Sequence, residues 1–98
     1  MYYQVHILIQ EEDKIYRHIP LYFCTTQDRE KAIDSFKAVC AQIFEFEKDV
    51  DVRGPYKRDS TGTIMSACGN VTSSFNHKGK YLVELTEWDF KPTNASII

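Results

Sequence analysis

Several features that would assign a function directly are missing from this 98-residue sequence. No apolar run approaches the roughly 18 residues that a membrane-spanning helix requires. The spacing of glycines and lysine that forms a nucleotide-binding P-loop is absent. The three cysteines, Cys24, Cys40 and Cys68, are odd in number and widely spaced. That pattern is typical neither of a disulfide framework nor of paired zinc knuckles, so we expect free thiols. The lack of a long apolar run predicts that the chain does not span a membrane.

The N-terminal segment lacks the basic start and continuous apolar centre of a signal peptide. Residues 1–7 alternate like a strand instead, so we expect a cytoplasmic protein. The composition is ordinary, with 43% hydrophobic residues, 27% charged residues and a net charge of −2. A chain of this length and composition predicts one globular domain, assigned to residues 1–90, followed by a C-terminal tail at 91–98.

Two N-terminal segments, residues 2–10 and 15–23, alternate between polar and apolar side chains and predict a β-hairpin. A three-residue turn at 11–13 would place both apolar sets on one face and set Ile7 opposite Arg17. Pro20 cannot donate a hydrogen bond to a neighbouring strand, which predicts that the second strand lies at a sheet edge.

A long helix is predicted over residues 28–47. Apolar residues recur there at spacings of three and four, and Asp28 is one of several residues that can cap the N-terminus. The apolar stripe is wide enough to cover one face of a sheet. Phe36 lies at its centre, so we expect this side chain in the core.

The C-terminal part predicts a three-stranded meander, with strands at 63–67, 71–76 and 80–90 and turns at 68–70 and 77–79. The second turn would set Val83 opposite Ser73 and Leu85 opposite Val71. The predicted fold class is therefore α+β: a two-layer structure in the order ββαβββ, with an antiparallel sheet of four to five strands and one helix on one face.

Residues 48–80 carry six Lys/Arg against three Asp, a net charge of +3 within an acidic chain. The cations cluster at Arg53-Gly54-Pro55-Tyr56-Lys57-Arg58, which we call the basic loop. Three cations around one aromatic side chain suit a phosphate backbone with a stacked base, and they equally suit an acidic protein partner. A solvated turn balanced by neighbouring acids is the simplest alternative.

Aromatic and aliphatic residues also occupy the strand positions that face away from the helix. They are Tyr2, Leu8, Tyr16, Tyr22, Leu82, Trp88 and Phe90. Such a patch marks a partner surface in many proteins, although cross-strand pairs that only stabilise the sheet would give the same pattern.

Two arrangements could carry chemistry. The three-residue turn would place His6 directly across from His18, but two ligands do not make a metal site. Cys68 and His77 could form a nucleophilic pair only if they met, and nothing in the sequence brings them together. We therefore predict no catalytic residues, no metal and no cofactor.

The sequence favours a small non-enzymatic binding protein that acts by stoichiometric protein contact, with a second copy of itself or with another protein. The predicted binding residues are Arg53, Tyr56, Lys57, Arg58, Trp88, Phe90, Tyr16 and Tyr22. Regulators, adaptors and inhibitors work in this way, including inhibitors carried by phages and mobile elements. The alternatives are a single-stranded nucleic-acid-binding module that uses the basic loop and the sheet aromatics, and a small thiol- or metal-dependent hydrolase.

Overall fold

A computed structural model describes residues 1–11, 17–21, 28–72 and 78–90. The elements in chain order are β1 (Tyr2–Glu11), β2 (Arg17–Leu21), α1 (Arg29–Ile43), β3 (Asp51–Arg53), β4 (Thr63–Val71) and β5 (Gly79–Trp88). The strands form one antiparallel sheet in the order β2-β1-β5-β4-β3, and α1 packs against β1 and β5. The predicted two-layer α+β fold in ββαβββ order is confirmed. We call the face of the sheet turned away from α1 the open face.

The core lies between α1 and the odd-numbered residues of the central strands. Its members include Tyr3, Val5, Ile7, Ile9, Ala32, Ile33, Phe36, Val39, Met65, Ala67, Val71, Tyr81, Val83 and Leu85. The period-two alternation of β1 and β5 therefore faces the helix as the sequence predicts. Phe36 exposes only 1% of its surface and lies within this cluster, as expected.

The helix begins where the cap residue predicts and ends four residues early. Asp28 accepts hydrogen bonds at its Oδ1 from the backbone N–H of Glu30 (2.9 Å) and Lys31 (3.4 Å). The chain leaves helical geometry at Phe44, at φ −105° and ψ 23°. Phe44 is buried in the core, where its ring lies over Gly69. Tertiary packing of this ring therefore overrides the helical pattern that extends to residue 47.

The N-terminal hairpin pairs in a different register from the predicted one. Ile7 lies opposite Ile19, and Arg17 lies opposite Ile9. The connection spans residues 12–16, which are outside the described residues, and is two residues longer than the predicted turn. The shift is an even number of positions, so odd-numbered residues of β1 still pair with odd-numbered residues of β2. β2 lies at an edge of the sheet, as Pro20 predicts.

The predicted meander is wrong in its strand boundaries and its register. β4 runs unbroken from Thr63 to Val71, through the positions assigned to a turn at 68–70. Glycine suits position 69 of this strand because a Cβ there would come within 3.2 Å of the Phe44 ring and 3.3 Å of Val50. The third strand of this group is β3, which pairs with β4 at the far edge of the sheet.

β5 pairs with the whole of this long strand, from Thr63 opposite Thr86 to Val71 opposite Gly79. Val83 lies opposite Ala67 and Leu85 opposite Met65, in place of the predicted Ser73 and Val71. Residues 73–77 and the predicted tail at 91–98 are outside the described residues.

Candidate functional site

The basic loop leaves β3 and runs beside the start of β4. Tyr56 donates its backbone N–H to the Ile64 carbonyl at 2.9 Å. Gly54 adopts φ +98°, and a Cβ at this position would meet the same Ile64 carbonyl oxygen. Only glycine combines this backbone angle with so close an approach, and this explains its place before Pro55. The loop is therefore held against the sheet by its own backbone.

A tight turn follows the basic loop and docks on β5. The Asp59 carboxylate accepts hydrogen bonds from the N–H groups of Thr61 (2.8 Å) and Thr63 (3.0 Å) and from the Thr61 hydroxyl (2.6 Å). These donors lower the pKa of Asp59 below its usual value. At the tip, the Gly62 carbonyl accepts the backbone N–H of Glu87 at 2.8 Å. The turn therefore continues the hydrogen bonding of the sheet.

An ion pair joins the basic loop to the end of β5. Arg58 Nη2 donates to Asp89 Oδ2 at 2.9 Å, and both side chains are partly or largely exposed. The hydrogen bond and the charge of Arg58 lower the pKa of Asp89 below its usual value. An exposed pair of this kind adds little stability, and its structural consequence is to hold the loop beside residues 88–90.

A second link comes from the first residue of the helix. Arg29 donates from Nη2 to the Tyr56 carbonyl at 3.0 Å, and its Nε lies 3.9 Å from Glu87 Oε2. The same Glu87 oxygen accepts the Tyr3 hydroxyl at 2.9 Å. Desolvation, with the hydrogen bond to Glu87 in second place, raises the pKa of Tyr3 to about 12. A polar network thus connects the basic loop, α1 and the buried end of β1.

Three aromatic side chains belong to the two segments that these links join. Tyr56 exposes 60% of its surface and Phe90 exposes 65%. Trp88 is half-buried: one edge of its indole lies over Gly62, and its ring centroid is 6.0 Å from that of Phe90. Its Nε1 donates to the Thr86 hydroxyl oxygen at 2.9 Å. We call the surface formed by Tyr56, Lys57, Arg58, Trp88 and Phe90 the aromatic corner.

The aromatic corner unites five of the eight predicted binding residues. Arg53 lies elsewhere, on β3 opposite Ser66, where its Nε donates to Asp51 Oδ2 at 3.0 Å. Tyr16 and Tyr22 are outside the described residues. The basic loop and the aromatic end of β5 were separate features of the sequence, and the fold makes them neighbours.

The described part of the open face is less aromatic than the sequence predicts. Trp88 and Tyr2 pair across β1 and β5 at one end, and both are half-buried. Towards the middle of the face, polar residues lie among the aliphatic ones: they are His6, Thr63, Ser66, Glu84 and Thr86. Among the predicted binding residues that the structure describes, the strongly exposed aromatics are Tyr56 and Phe90, which lie beyond the strands.

The histidine arrangement considered for a metal site differs from the one drawn from the sequence. His6 pairs with Pro20 and His18 with Leu8, so the predicted direct pairing of the two histidines is wrong. The shorter turn assumed for the hairpin is the cause. Within residues 1–11, 17–21, 28–72 and 78–90, no group of three His, Cys, Asp or Glu side chains could hold a metal ion.

Among the described residues, neither Cys40 nor Cys68 is part of an arrangement suited to thiol chemistry. Cys68 is half-buried on β4, and its suggested partner His77 lies outside the described residues. Burial raises the pKa of the Cys40 thiol to about 11, which makes it a poor nucleophile near neutral pH. Cys24 also falls outside the description.

Sequence reasoning missed Arg29 and Glu87, which hold the basic loop in position. The helical spacing of residues 28–47 places Arg29 on the charged side, opposite the apolar stripe. Its role depends on Tyr56, which is 27 positions away in the chain, and on Glu87 in β5. Local periodicity contains no signal for such a contact.

Comparison with protein-family models, curated proteins and solved structures finds no match to this chain. No helix within the described residues is long and apolar enough to cross a membrane. A function must therefore be argued from the geometry of the surface itself.

Proposed function

We propose that this protein acts by stoichiometric protein–protein contact through the aromatic corner. One observation carries the proposal: the Arg58–Asp89 ion pair joins the basic loop, where Tyr56 is largely exposed, to the end of β5, where Phe90 is largely exposed. Large exposed aromatics set among charged groups are the composition of a binding hot spot with a polar rim.

The corner is suited to binding because its backbone is already ordered. The basic loop is held by the bonds of Tyr56 to Ile64 and Arg29, and the following turn is held by the bond of Gly62 to Glu87. A partner would therefore order few additional backbone torsions on docking. Trp88, half-buried between Gly62 and Phe90, serves as a platform under the exposed ring.

The charges of the corner favour a protein partner over a nucleic acid. Within the corner Arg58 lies beside the Asp89 carboxylate, and Arg29, which holds the basic loop, lies 3.9 Å from the carboxylate of Glu87. A phosphate backbone would have to displace these acids or approach them closely, and the chain as a whole carries −2. A protein surface can instead match alternating positive and negative groups one by one.

The proposed partner is another protein or a second copy of this chain, and the proposed role is that of a regulator, adaptor or inhibitor. The proposed compartment is the cytoplasm, where reduced thiols such as those of Cys40 and Cys68 persist.

The test compares a double variant, Tyr56→Ser with Phe90→Ser, against the control Phe46→Ser. Phe46 exposes 68% of its surface just beyond α1, so the control removes an equally exposed aromatic away from the corner. Solution mass as a function of concentration detects self-association, and affinity capture from the native host with measured stoichiometry detects another partner. We expect wild type and the control to bind one partner at fixed stoichiometry and the double variant to lose it.

Retention of the same partner by the double variant would refute the proposal. Titration of a random single-stranded oligonucleotide distinguishes the nucleic-acid alternative. Tight binding at physiological salt that disappears in an Arg53→Ala, Lys57→Ala, Arg58→Ala triple variant would replace protein contact with phosphate recognition.

A further inference from the structure

A shallow groove of about 360 Å³ lies on the open face, next to the aromatic corner. Its walls include His6, Leu8, Thr63, Glu84, Thr86 and Trp88. The groove is formed where β1, β5 and the start of β4 lie side by side, with His6 directly opposite Glu84 and Thr63 opposite Thr86. Its volume is in the range of small-ligand sites and exceeds that of one amino-acid side chain.

The hydroxyl and indole donors around this groove are already used within the protein. The Thr63 hydroxyl donates to Glu84 Oε2 at 3.0 Å. Trp88 Nε1 donates to the Thr86 hydroxyl oxygen at 2.9 Å, and that hydroxyl donates in turn to the Gln4 carbonyl at 3.2 Å. Each hydroxyl has one proton, so neither threonine has another to offer a ligand.

The Thr61 hydroxyl at the rim follows the same rule, because it donates to Asp59 Oδ1 at 2.6 Å. Since the protons of these hydroxyls and of the indole are all in use, these groups can offer a ligand only acceptor oxygens. The principal acceptor is the half-buried Glu84 carboxylate, whose second oxygen, Oε1, remains beside the one that Thr63 occupies. A ligand that brings donors and positive charge would complement this groove.

The apolar walls add a second requirement. Leu8 and the ring of Trp88 provide hydrophobic surface beside the carboxylate, and the Trp88 ring is fixed by its bond to Thr86 and its contact with Gly62. An alkyl chain can lie against the leucine, and the charged end of the chain is attracted to the face of the indole as well as to the carboxylate.

We propose that this groove binds an alkylammonium or alkylguanidinium group, supplied by a free amine or by a lysine or arginine side chain of a polypeptide. The groove is distinct from the exposed rings of Tyr56 and Phe90. Its ligand can be tested whether or not the aromatic corner binds a protein.

Trp88 is the only tryptophan in the chain, so its fluorescence reports on the groove directly. The probes are n-butylammonium, butylguanidinium and a lysine capped at both termini. Butanol and capped norleucine are the uncharged counterparts. We expect saturable fluorescence changes with the cations only, and chemical-shift changes of the His6 and Leu8 amides in two-dimensional NMR spectra.

The test variant is Glu84→Gln, which preserves the shape of the side chain and removes its charge. The matched control is Glu45→Gln, on the exposed segment after α1. We expect Glu84→Gln to raise the Kd about tenfold or more, as loss of a charge-assisted hydrogen bond predicts, and Glu45→Gln to leave it unchanged.

Two arms identify the source of the cation. Tighter binding of capped lysine than of butylammonium assigns the groove to a polypeptide side chain, and the reverse assigns it to a free amine. The proposal is overturned if neither cation gives a saturable response, if butanol binds as well as butylammonium, or if Glu84→Gln binds the cations as wild type does. None of these results bears on Tyr56 and Phe90, so failure here is distinguishable from failure of the proposed protein contact.

Discussion

Phe36→Ala tests the packing of α1 on the sheet, which is what positions the first residue of the helix, Arg29, beside the basic loop. Phe36 is 1% exposed and is the largest fully buried side chain in the described residues. Its truncation removes the transfer free energy of the ring and leaves a cavity, a combined cost of about 3–5 kcal/mol. A domain of this length has a total stability of about 5–15 kcal/mol, so the variant should lose a large share of it.

Urea titration followed by far-ultraviolet circular dichroism measures this loss. Phe46→Ala is the matched control, because Phe46 is 68% exposed and its removal should change the free energy of unfolding by less than about 0.5 kcal/mol. The slope of free energy against urea should remain near the wild-type value in both variants if folding stays two-state. A loss below about 1 kcal/mol in Phe36→Ala, or equal losses in both variants, would refute the core as described.

Two further predictions concern the loop and the polar network. Gly54→Ala should lower the free energy of unfolding by more than about 1 kcal/mol in the same titration, because φ is +98° and the new Cβ meets the Ile64 carbonyl oxygen; a neutral effect would contradict the loop geometry. Tyr3 should titrate at a pKa of about 12 in the folded protein, measured by ultraviolet absorbance against a Tyr3→Phe variant. Because the neutral phenol is favoured in the folded state and titrates near 10 in the unfolded chain, the stabilisation from this shift is complete below pH 10 and is lost as the pH rises towards 12. A Tyr3 that ionises near pH 10 in the folded protein would contradict the burial of its hydroxyl and the hydrogen bond to Glu87.

The sequence predicts the elements whose burial follows one simple period. β1 and β5 alternate with period two, and the apolar stripe of α1 includes Ala32, Ile33 and Phe36, all of which are buried. The capping carboxylate of Asp28 marks the start of the helix because its bonds are local. Such features are predictable since each depends on residues only a few positions apart.

The elements that were predicted wrongly depend on contacts between distant residues. Gly69 looks like a turn residue, yet it lies within β4, where the Phe44 ring packs against it and leaves little room for a side chain. α1 ends at Ile43 and not at residue 47 because the ring of the next residue, Phe44, is buried in the core. The register of β1 with β2 depends on the length of the intervening connection, which hydrophobic alternation determines only to within an even number of residues.

The sequence predicts which residues belong to the candidate site, but it does not predict that they lie close together. Tyr56, Arg58, Trp88 and Phe90 stand out by residue type, but their proximity rests on the Arg58–Asp89 pair, 31 positions apart, and on the docking of Gly62 against β5. The Glu84 groove was not predicted at all. Its polar groups come from three strands and the turn before β4, and the sequence singled out only His6 among them, for a different reason.

The most direct test of protein contact at the aromatic corner is hydroxyl-radical footprinting of the protein with and without its captured partner. Free protein should be oxidised readily at Tyr56, Phe90 and Phe46, which expose 60%, 65% and 68% of their surfaces. In the complex we predict strong protection of Tyr56 and Phe90 together, with Phe46 oxidised as before. Unchanged oxidation of Tyr56 and Phe90 in a complex that protects other residues would place the interface elsewhere and contradict the proposed function.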